Sequence, residues 1–298
     1  MPELPDVQLY LDAIGARTIG HALTKVRLAS PFLLRSVEPP IQAIEGRIVE
    51  GLRRIGKRIV FDLGDAHFAV IHLMIAGRFR WSDEPGAKIP GRVGLMAMDF
   101  DTGTLILTEA SKKKRAALHI VEGEDALAEH DRGGAEPLET DLDGFRNALT
   151  RERHTLKRSL TDQRLLSGIG NAYSDEILHR AKLSPMKRSD HLKEEEMLRL
   201  FEATKEVLSE WCERLKEETG DAFPTKVTAF RPEMAVHGKY KEPCPVCEHK
   251  VMRIRYASNE ANYCPTCQTG GKLLADRSLS RLLKKSWPKT LEELEGGR

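Results

Sequence analysis

The C-terminal third of the sequence contains Cys244-Pro245-Val246-Cys247 and, sixteen residues later, Cys264-Pro265-Thr266-Cys267. Two Cys-x-x-Cys pairs at this separation supply four thiolates for one tetrahedral Zn²⁺ ion. Four thiolates complete the coordination shell, so the predicted zinc is structural and carries no reactive water. Because a segment this short cannot build a core of its own, the metal supplies its folding free energy. The sequence therefore predicts a zinc finger with the ligands Cys244, Cys247, Cys264 and Cys267.

Charge around these cysteines indicates what the finger contacts. Between Lys239 and Lys285 the sequence has ten Lys and Arg residues but only four Asp and Glu residues, although the net charge of the chain is only +2. The compensating acids concentrate between Glu122 and Asp143, where nine occur. A basic third within a near-neutral chain favours a polyanion such as nucleic acid. Charge alone leaves two other interpretations open: a finger that binds protein, and an ordinary solvated surface.

Composition excludes several classes of protein. The chain has 298 residues, of which 40% are hydrophobic and 31% charged, values typical of a multidomain globular protein. Its most apolar run, Ala69 to Ala76, is far shorter than the roughly 20 residues of a bilayer span, so no membrane partner is expected. The N-terminus lacks the pattern of a secretory signal. Five cysteines form no disulfide framework and fit a reducing cytosol, so we expect a cytoplasmic location.

The N-terminal part alternates between one helical pattern and short β-rich runs. Pro5, Val7, Tyr10, Leu11 and Ile14 have the spacing of an amphipathic helix with proline in its first turn. Six short runs separated by Gly and Asp then predict strands of a sandwich or barrel. The six runs are Ala22–Leu28, Arg47–Leu52, Arg58–Leu63, Phe68–Leu73, Val93–Phe100 and Thr104–Thr108. The acidic stretch that follows has no clear period and is predicted to be a linker.

From about Asp141 the pattern becomes helical. The predicted helices are Phe145–Thr150, Thr155–Leu166, Tyr173–Lys182 and Glu194–Glu218. Between the second and third lies a glycine-containing turn, Ser167-Gly168-Ile169-Gly170-Asn171, which by itself is either a simple connection or a phosphate-binding helix N-terminus. A final basic helix carrying Leu279, Leu282 and Leu283 is predicted beyond the finger.

The first residues offer one chemical possibility. Initiator Met is commonly removed ahead of a small residue such as Pro2, and its removal exposes a secondary amine beside Glu3. An amine can form a Schiff base with a carbonyl-type carbon, and a neighbouring carboxyl group can transfer protons. A start of this kind carries little weight in isolation.

Together these motifs resemble the formamidopyrimidine-DNA glycosylase and endonuclease VIII (Fpg/Nei) family of base-excision repair enzymes. The resemblance runs from Met1 to about Gln268. It is carried by Pro2-Glu3-Leu4-Pro5, by Arg54-Ile55-Gly56-Lys57-Arg58, by Leu166–Glu176 as the family's helix-two-turn-helix, and by the finger. It implies an N-terminal β-sandwich with flanking helices, a helical DNA-binding domain and a C-terminal zinc finger.

The resemblance also implies a role for each matching residue. Pro2 is expected to be the nucleophile at the deoxyribose C1′ atom, Glu3 the acid/base, and Lys57 a phosphate contact that assists β-elimination. Asn171 and Lys157 are expected to hold phosphates from the helix-two-turn-helix. The resemblance further implies that the partner is damaged double-stranded DNA, bound by a monomer, and that the one cofactor is the structural Zn²⁺ ion.

Three departures from the family pattern limit this assignment. Asp6 replaces the family's Glu and is one methylene shorter. Ile75 stands at the place of the family's void-filling Met, and the Arg-Phe segment is replaced by a run that includes Lys114 and Arg115, predicted to contact DNA. Asn259 replaces the finger Arg that holds phosphate and assists δ-elimination. A neutral amide cannot make that charged bidentate contact, so δ-elimination is expected to be weak.

The resulting interpretation is an α+β, multidomain, bifunctional DNA glycosylase and AP lyase that acts on the bacterial nucleoid. The expected segments are 1–130 (catalytic sandwich), 141–222 (helix-two-turn-helix), 236–269 (finger) and 270–298 (basic extension). Two alternatives remain: a non-catalytic zinc-dependent DNA-binding protein on the same scaffold, and a nucleic-acid-binding module of translation. The motif at Pro2-Glu3 and Lys57 argues against the second.

Overall fold

The computed structural model describes residues 1–256, 259–275 and 288–296. The chain divides into two compact units, of which the first combines Met1–Arg132 with Trp211–Ala229 and the second combines Gly133–Glu210 with Phe230–Arg298. Helix α6 (Glu194–Thr219) contributes residues to both. The four segments expected from the sequence remain a prediction. The predicted basic helix around Leu279 lies outside the described residues.

The first unit begins with helix α1 (Leu4–Thr18), as the apolar spacing predicts. Proline occupies its first turn, and a capping box formed by Glu3 and Asp6 satisfies amide groups that the helix start leaves open. Val7 and Ile14 are fully buried on the inner face. The hydroxyl oxygen of Tyr10 accepts a hydrogen bond from the Phe79 amide, so the helix is fixed to the sheet that contains Phe79.

Two four-stranded antiparallel sheets form the body of this unit and confirm the predicted sandwich class. The strands are β1 Leu23–Leu28, β2 Gly51–Ile55, β3 Arg58–Asp62, β4 His67–His72, β5 Gly77–Ser82, β6 Gly94–Phe100, β7 Gly103–Glu109 and β8 Ala117–Glu122. The first sheet has the order β1-β6-β7-β5 and the second the order β2-β3-β4-β8. Every residue of β6 and β7 is buried, as expected for central strands.

The sequence interpretation missed β5 and β8 and misplaced the second strand. In β5 the buried Phe79 lies between two arginines, and so short an alternation does not by itself distinguish a strand from a loop. The predicted run Arg47–Leu52 overlaps the observed β2 by only two residues. The strand is defined instead by its hairpin partner, because Ile55 pairs with Arg58 across a two-residue turn.

The first segment of the second unit, Gly133–Glu210, is mainly helical. Its helices are α3 (Leu142–Thr150), α4 (Leu156–Thr161), α5 (Asn171–Arg180) and the first part of α6. Helix α4 ends five residues earlier than predicted, and the Asp162 carboxylate then accepts the Arg164 amide in a turn. The acidic stretch expected to be a linker contains a short helix, α2 (Glu124–Ala128), which belongs to the first unit.

The C-terminal part of the second unit contains a hairpin and two short helices. Strands β9 (Met252–Tyr256) and β10 (Asn259–Tyr263) pair antiparallel, and helices α7 (Pro265–Thr269) and α8 (Leu291–Gly296) follow. Among the described residues, none of these or the other helices combines the length and apolar character needed to cross a bilayer.

Candidate functional site

Glu3 and Asp6 are fixed against each other at the start of α1. The Glu3 amide donates to Asp6 Oδ2 over 3.0 Å, and the Asp6 amide in turn donates to the Glu3 side chain. Both carboxyl residues are buried, with 3% of Glu3 and none of Asp6 exposed. Asp6, the shorter replacement noted in the sequence, therefore has an observed task, which is to hold the backbone immediately after Pro2.

The chain's amino group shares this corner with charged side chains. Burial lowers the pKa of the Met1 amine; Arg78 and Lys57 lower it further, while Glu3 and Asp6 oppose the shift. Met1 is exposed and Pro2 is buried, so removal of Met1 would leave an amine at a more enclosed position. Pro2 and Glu3 adjoin this amino group in the chain, and Lys57 lies close enough to lower its pKa, so the three residues predicted to be catalytic share its electrostatic environment. Arg78, which the sequence interpretation missed, belongs to the same electrostatic environment.

Lys57 is placed by a tight hairpin turn between β2 and β3. Gly56 has a φ of +60°, and the two-residue loop with glycine first matches a type II′ turn. The Arg54 guanidinium donates to the Gly56 carbonyl over 2.8 Å and braces the turn. A half-buried lysine on a rigid hairpin is held in a restricted region, which suits a contact to one phosphate.

A second turn, between β4 and β5, presents Ile75. His72 Nδ1 accepts the Met74 amide over 2.9 Å, and Met74 adopts a φ of +52°. Burial, together with Arg58 and Lys57, lowers the pKa of His72 to about 4, so its imidazole is neutral at pH 7 and free to accept. The side chain of Ile75 is 54% exposed at the tip of the turn. Sequence reasoning assigned His72 no role.

The basic run that contains Lys114 and Arg115 is an exposed loop with a fixed base. The buried Glu109 carboxylate accepts the amides of Arg115 and Ala116 over 2.8 and 3.1 Å. The Lys114 ammonium donates to the Glu109 carbonyl. Lys114 and Arg115 are both exposed, and their predicted contact with DNA stays a prediction.

In the second unit, the turn before α5 is braced by a side chain that the sequence interpretation overlooked. Gln163 Oε1 accepts the Gly168 amide over 2.9 Å, and its Nε2 donates to the Ile169 carbonyl over 2.7 Å. Gly168 has a φ of +78°, a conformation that favours glycine. The turn therefore delivers Asn171 to the first position of α5, where backbone amides are not used by the helix itself.

Lys157 has surroundings that differ from those of a surface phosphate ligand. Its ammonium lies 2.5 Å from Asp175 Oδ1 and 2.6 Å from the Asn171 carbonyl oxygen, and only 4% of the residue is exposed. The other carboxylate oxygen of Asp175 accepts from His237 and Asn262. Asp175 is the organising residue of this buried network, and no sequence signal separated it from other helical acids.

The four predicted zinc ligands converge. The Sγ atoms of Cys244, Cys247, Cys264 and Cys267 all lie within 4.8 Å of one another. Tetrahedral Zn–S bonds of roughly 2.3 Å require sulfur atoms about 3.8 Å apart. The Cys244–Cys267 separation is 3.9 Å, and the Cys247–Cys264 separation, 3.3 Å, is shorter than that. The donor set is entirely thiolate, so the residues fit a structural zinc ion, as the sequence predicted.

Comparison with known proteins agrees with this arrangement. Residues 1–118 match the formamidopyrimidine-DNA glycosylase N-terminal domain, residues 134–221 its H2TH domain, and residues 241–270 the zinc finger found in FPG and IleRS. These matches describe a protein built from a glycosylase-type sandwich, a helix-two-turn-helix and a four-cysteine finger.

Whole-chain relatives make the assignment more specific. A formamidopyrimidine-DNA glycosylase of Heliobacterium modesticaldum is 32% identical over 281 residues, which cover 90% of this chain and all of that protein. A formamidopyrimidine-DNA glycosylase-like protein of Mycobacterium tuberculosis is 40% identical over 151 residues, which cover 51% of this chain and 94% of that one. The chain belongs to the formamidopyrimidine-DNA glycosylase (Fpg/Nei) family.

Solved structures give the same result. A variant of Lactococcus lactis FPG in complex with DNA containing Fapy-dG superposes with a TM-score of 0.78 at 27% identity, covering 90% of this chain and all of that one. The Lactococcus lactis Fpg structure with abasic-site DNA gives a TM-score of 0.78 at 25% identity and covers 90% and 99% of the two chains.

Proposed function

We infer that this protein is a DNA glycosylase with AP lyase activity that acts on oxidatively damaged double-stranded DNA. The observation that carries the proposal is the N-terminal corner, where the chain's amino group lies in the field of Glu3, Asp6, Arg78 and Lys57. Family membership and the likeness to Lactococcus lactis Fpg bound to damaged DNA support it.

The proposed chemistry begins after Met1 is removed. The Pro2 nitrogen attacks C1′ of the damaged nucleotide, the glycosidic bond breaks, and the base leaves with a proton. The amine loses its own proton, and the opened sugar becomes an iminium that links enzyme and DNA. Glu3 transfers the proton that opens the ring. Burial and the neighbouring cations lower the amine pKa, which increases the unprotonated fraction that can attack.

Strand cleavage then follows from the iminium. It acidifies C2′–H; removal of this proton breaks the C3′–O bond and expels the downstream strand with a 5′-phosphate, which is β-elimination. Lys57, on its braced hairpin, would neutralise that phosphate as it departs. Hydrolysis of the remaining unsaturated iminium frees Pro2. With Asn259 at the place of the family's finger Arg, we propose that most product stops at this stage.

DNA retention is proposed to involve both units. Asn171 at the start of α5 offers backbone amides to a phosphate, as helix N-termini do. Lys57, Lys114 and Arg115 are proposed as further phosphate contacts. We propose that Lys157 acts indirectly, because its ammonium is already bonded to Asp175 and to the Asn171 carbonyl. The protein is proposed to act as a monomer on the nucleoid in the cytoplasm, in keeping with its similarity to a bacterial formamidopyrimidine-DNA glycosylase.

Borohydride trapping tests the proposal directly. Reduction of the iminium should yield a covalent complex with a duplex that carries an abasic site, and with one that carries an oxidised base. A variant with Met1 demonstrably retained should lose trapping, because its Pro2 nitrogen is an amide. The matched control is Arg158→Met, which removes an exposed charge in the other unit and should trap normally. Unchanged trapping with Met1 in place would overturn Pro2 as the nucleophile. Absence of trapping in the processed wild type would favour a non-catalytic DNA-binding protein.

A further inference from the structure

One face of helix α5 is bonded to the C-terminal part of the second unit through buried polar groups. The Glu176 carboxylate accepts the three consecutive amides of Ala235, Val236 and His237 at 2.7 to 2.9 Å. Asp175 accepts from Asn262 in β10. These contacts fix α5 against the finger, so a third side chain on the same face is held in a defined position.

That third side chain is His179, one helical turn after Asp175. Its Nε2 atom lies 3.3 Å from Cys244 Sγ. Only 7% of His179 and 1% of Cys244 are exposed, so the pair is shielded from water. A zinc-bound cysteine is a thiolate without a proton and can only accept a hydrogen bond. The imidazole must therefore donate through its Nε2–H group when the metal is bound.

The negative charge of the zinc site explains why a hydrogen bond from His179 to Cys244 would be stabilising. Four thiolates around one Zn²⁺ leave a net charge of −2, and a buried anion is costly unless donors compensate it. Cys244 and Cys264 are the two buried ligands, whereas Cys247 and Cys267 are partly exposed to water. Cys264 Sγ accepts the Cys267 amide over 3.4 Å. His179 provides the corresponding donor for Cys244, so both buried sulfurs have one within the protein.

We propose that His179 is a positioning residue of the zinc centre, whose Nε2–H···S bond to Cys244 retains the metal. Groups that hydrogen-bond to metal ligands change metal affinity by about 10- to 100-fold when they are replaced. The hydrogen bond also ties the finger to α5, the helix that begins at Asn171. The proposal concerns zinc alone and does not require that the protein cleave DNA.

Zinc transfer from the full-length, zinc-loaded protein to the chromophoric chelator 4-(2-pyridylazo)resorcinol tests it. His179→Phe keeps a ring but has no donor, and its zinc release should accelerate about 10- to 100-fold. His179→Gln places an amide donor near the Nε2 position and should restore most of the retention. His191→Phe makes the same change at an exposed histidine and should release zinc at the wild-type rate. Wild-type release from a folded His179→Phe protein would overturn the proposal, as would equal losses from the Phe and Gln variants.

A measurement on the wild type avoids any folding defect of the variants. In protein loaded with ¹¹³Cd, a long-range ¹H–¹⁵N spectrum shows which ring nitrogen of His179 carries the proton. We expect a protonated Nε2 whose proton couples to the metal through the sulfur. An unprotonated Nε2 would refute the assignment whatever the variants do.

Discussion

Replacement of Lys157 by methionine distinguishes two roles for this residue. The sequence predicts a contact with a DNA phosphate, whereas the structure shows a buried ion pair with Asp175. Met has a similar stem and no charge, so the change removes the ammonium and leaves Asp175 buried. Because the Nζ–Oδ1 distance is 2.5 Å and the two side chains are 5% and 0% exposed, a buried ion pair is broken. Loss of one partner from such a pair costs about 3–5 kcal/mol.

The lower end of that range applies here, because Asp175 keeps its bonds from His237 and Asn262. With a urea m-value of roughly 1–3 kcal/mol/M, a loss of about 3 kcal/mol lowers the unfolding midpoint by at least about 1 M. Unfolding of the second unit is measured in urea through the zinc that it releases to the chelator. Arg158→Met, an exposed neighbour on α4, should change stability by no more than about 0.5 kcal/mol.

The salt dependence of DNA binding by Lys157→Met tests the alternative, a direct phosphate contact. A direct phosphate contact would reduce the salt dependence of binding by about one contact. We expect the salt slope of DNA binding by Lys157→Met to equal that of wild type. Adding Asp175→Asn to Lys157→Met should recover part of the lost stability, because it removes the charge left without its partner. A flatter salt slope together with an unchanged urea midpoint would show that Lys157 leaves Asp175 to bind phosphate, and would refute the reasoning.

Three further predictions concern other positions. The pKa of His72 in the folded protein is about 4, below its unfolded value, so its neutral form contributes stability above about pH 6.5 that is lost as the pH falls toward 4. His72→Asn keeps an acceptor for the Met74 amide and should make thermal stability less dependent on pH between these values. An unchanged pH profile of thermal stability would contradict this. Gln163→Leu should weaken binding to abasic-site DNA several-fold at an unchanged salt slope, with Gln163→Glu intermediate because it still accepts the Gly168 amide; equal affinity in all three proteins would show that the turn needs no brace. Asn259→Arg should raise the 3′-phosphate product on denaturing gels and steepen the salt dependence by about one contact, whereas a wild-type product that is already mostly 3′-phosphate would refute the assignment of δ-elimination to this position.

Local patterns were sufficient for much of the fold. The spacing of apolar residues placed α1, α5 and most of α6, because a helix repeats every 3.6 residues whatever it packs against. The Cys-x-x-Cys pairs gave all four zinc ligands, since each knuckle is a local turn. Strands were harder: β5 and β8 became strands by pairing with β7 and β4, and a short alternating segment does not reveal its partner.

By itself, the sequence determined the class of protein and the four zinc ligands, because these depend on residue identity and short spacing. It also predicts the catalytic roles of Pro2, Glu3 and Lys57. Tertiary structure alone decided the environments of Lys157 and Asp175, which lie 18 positions apart in the chain and 2.5 Å apart in space. It also placed His179 against Cys244, a separation of 65 positions. Burial and partnership at such separations depend on how distant segments pack, and a buried lysine and an exposed one are written with the same letter.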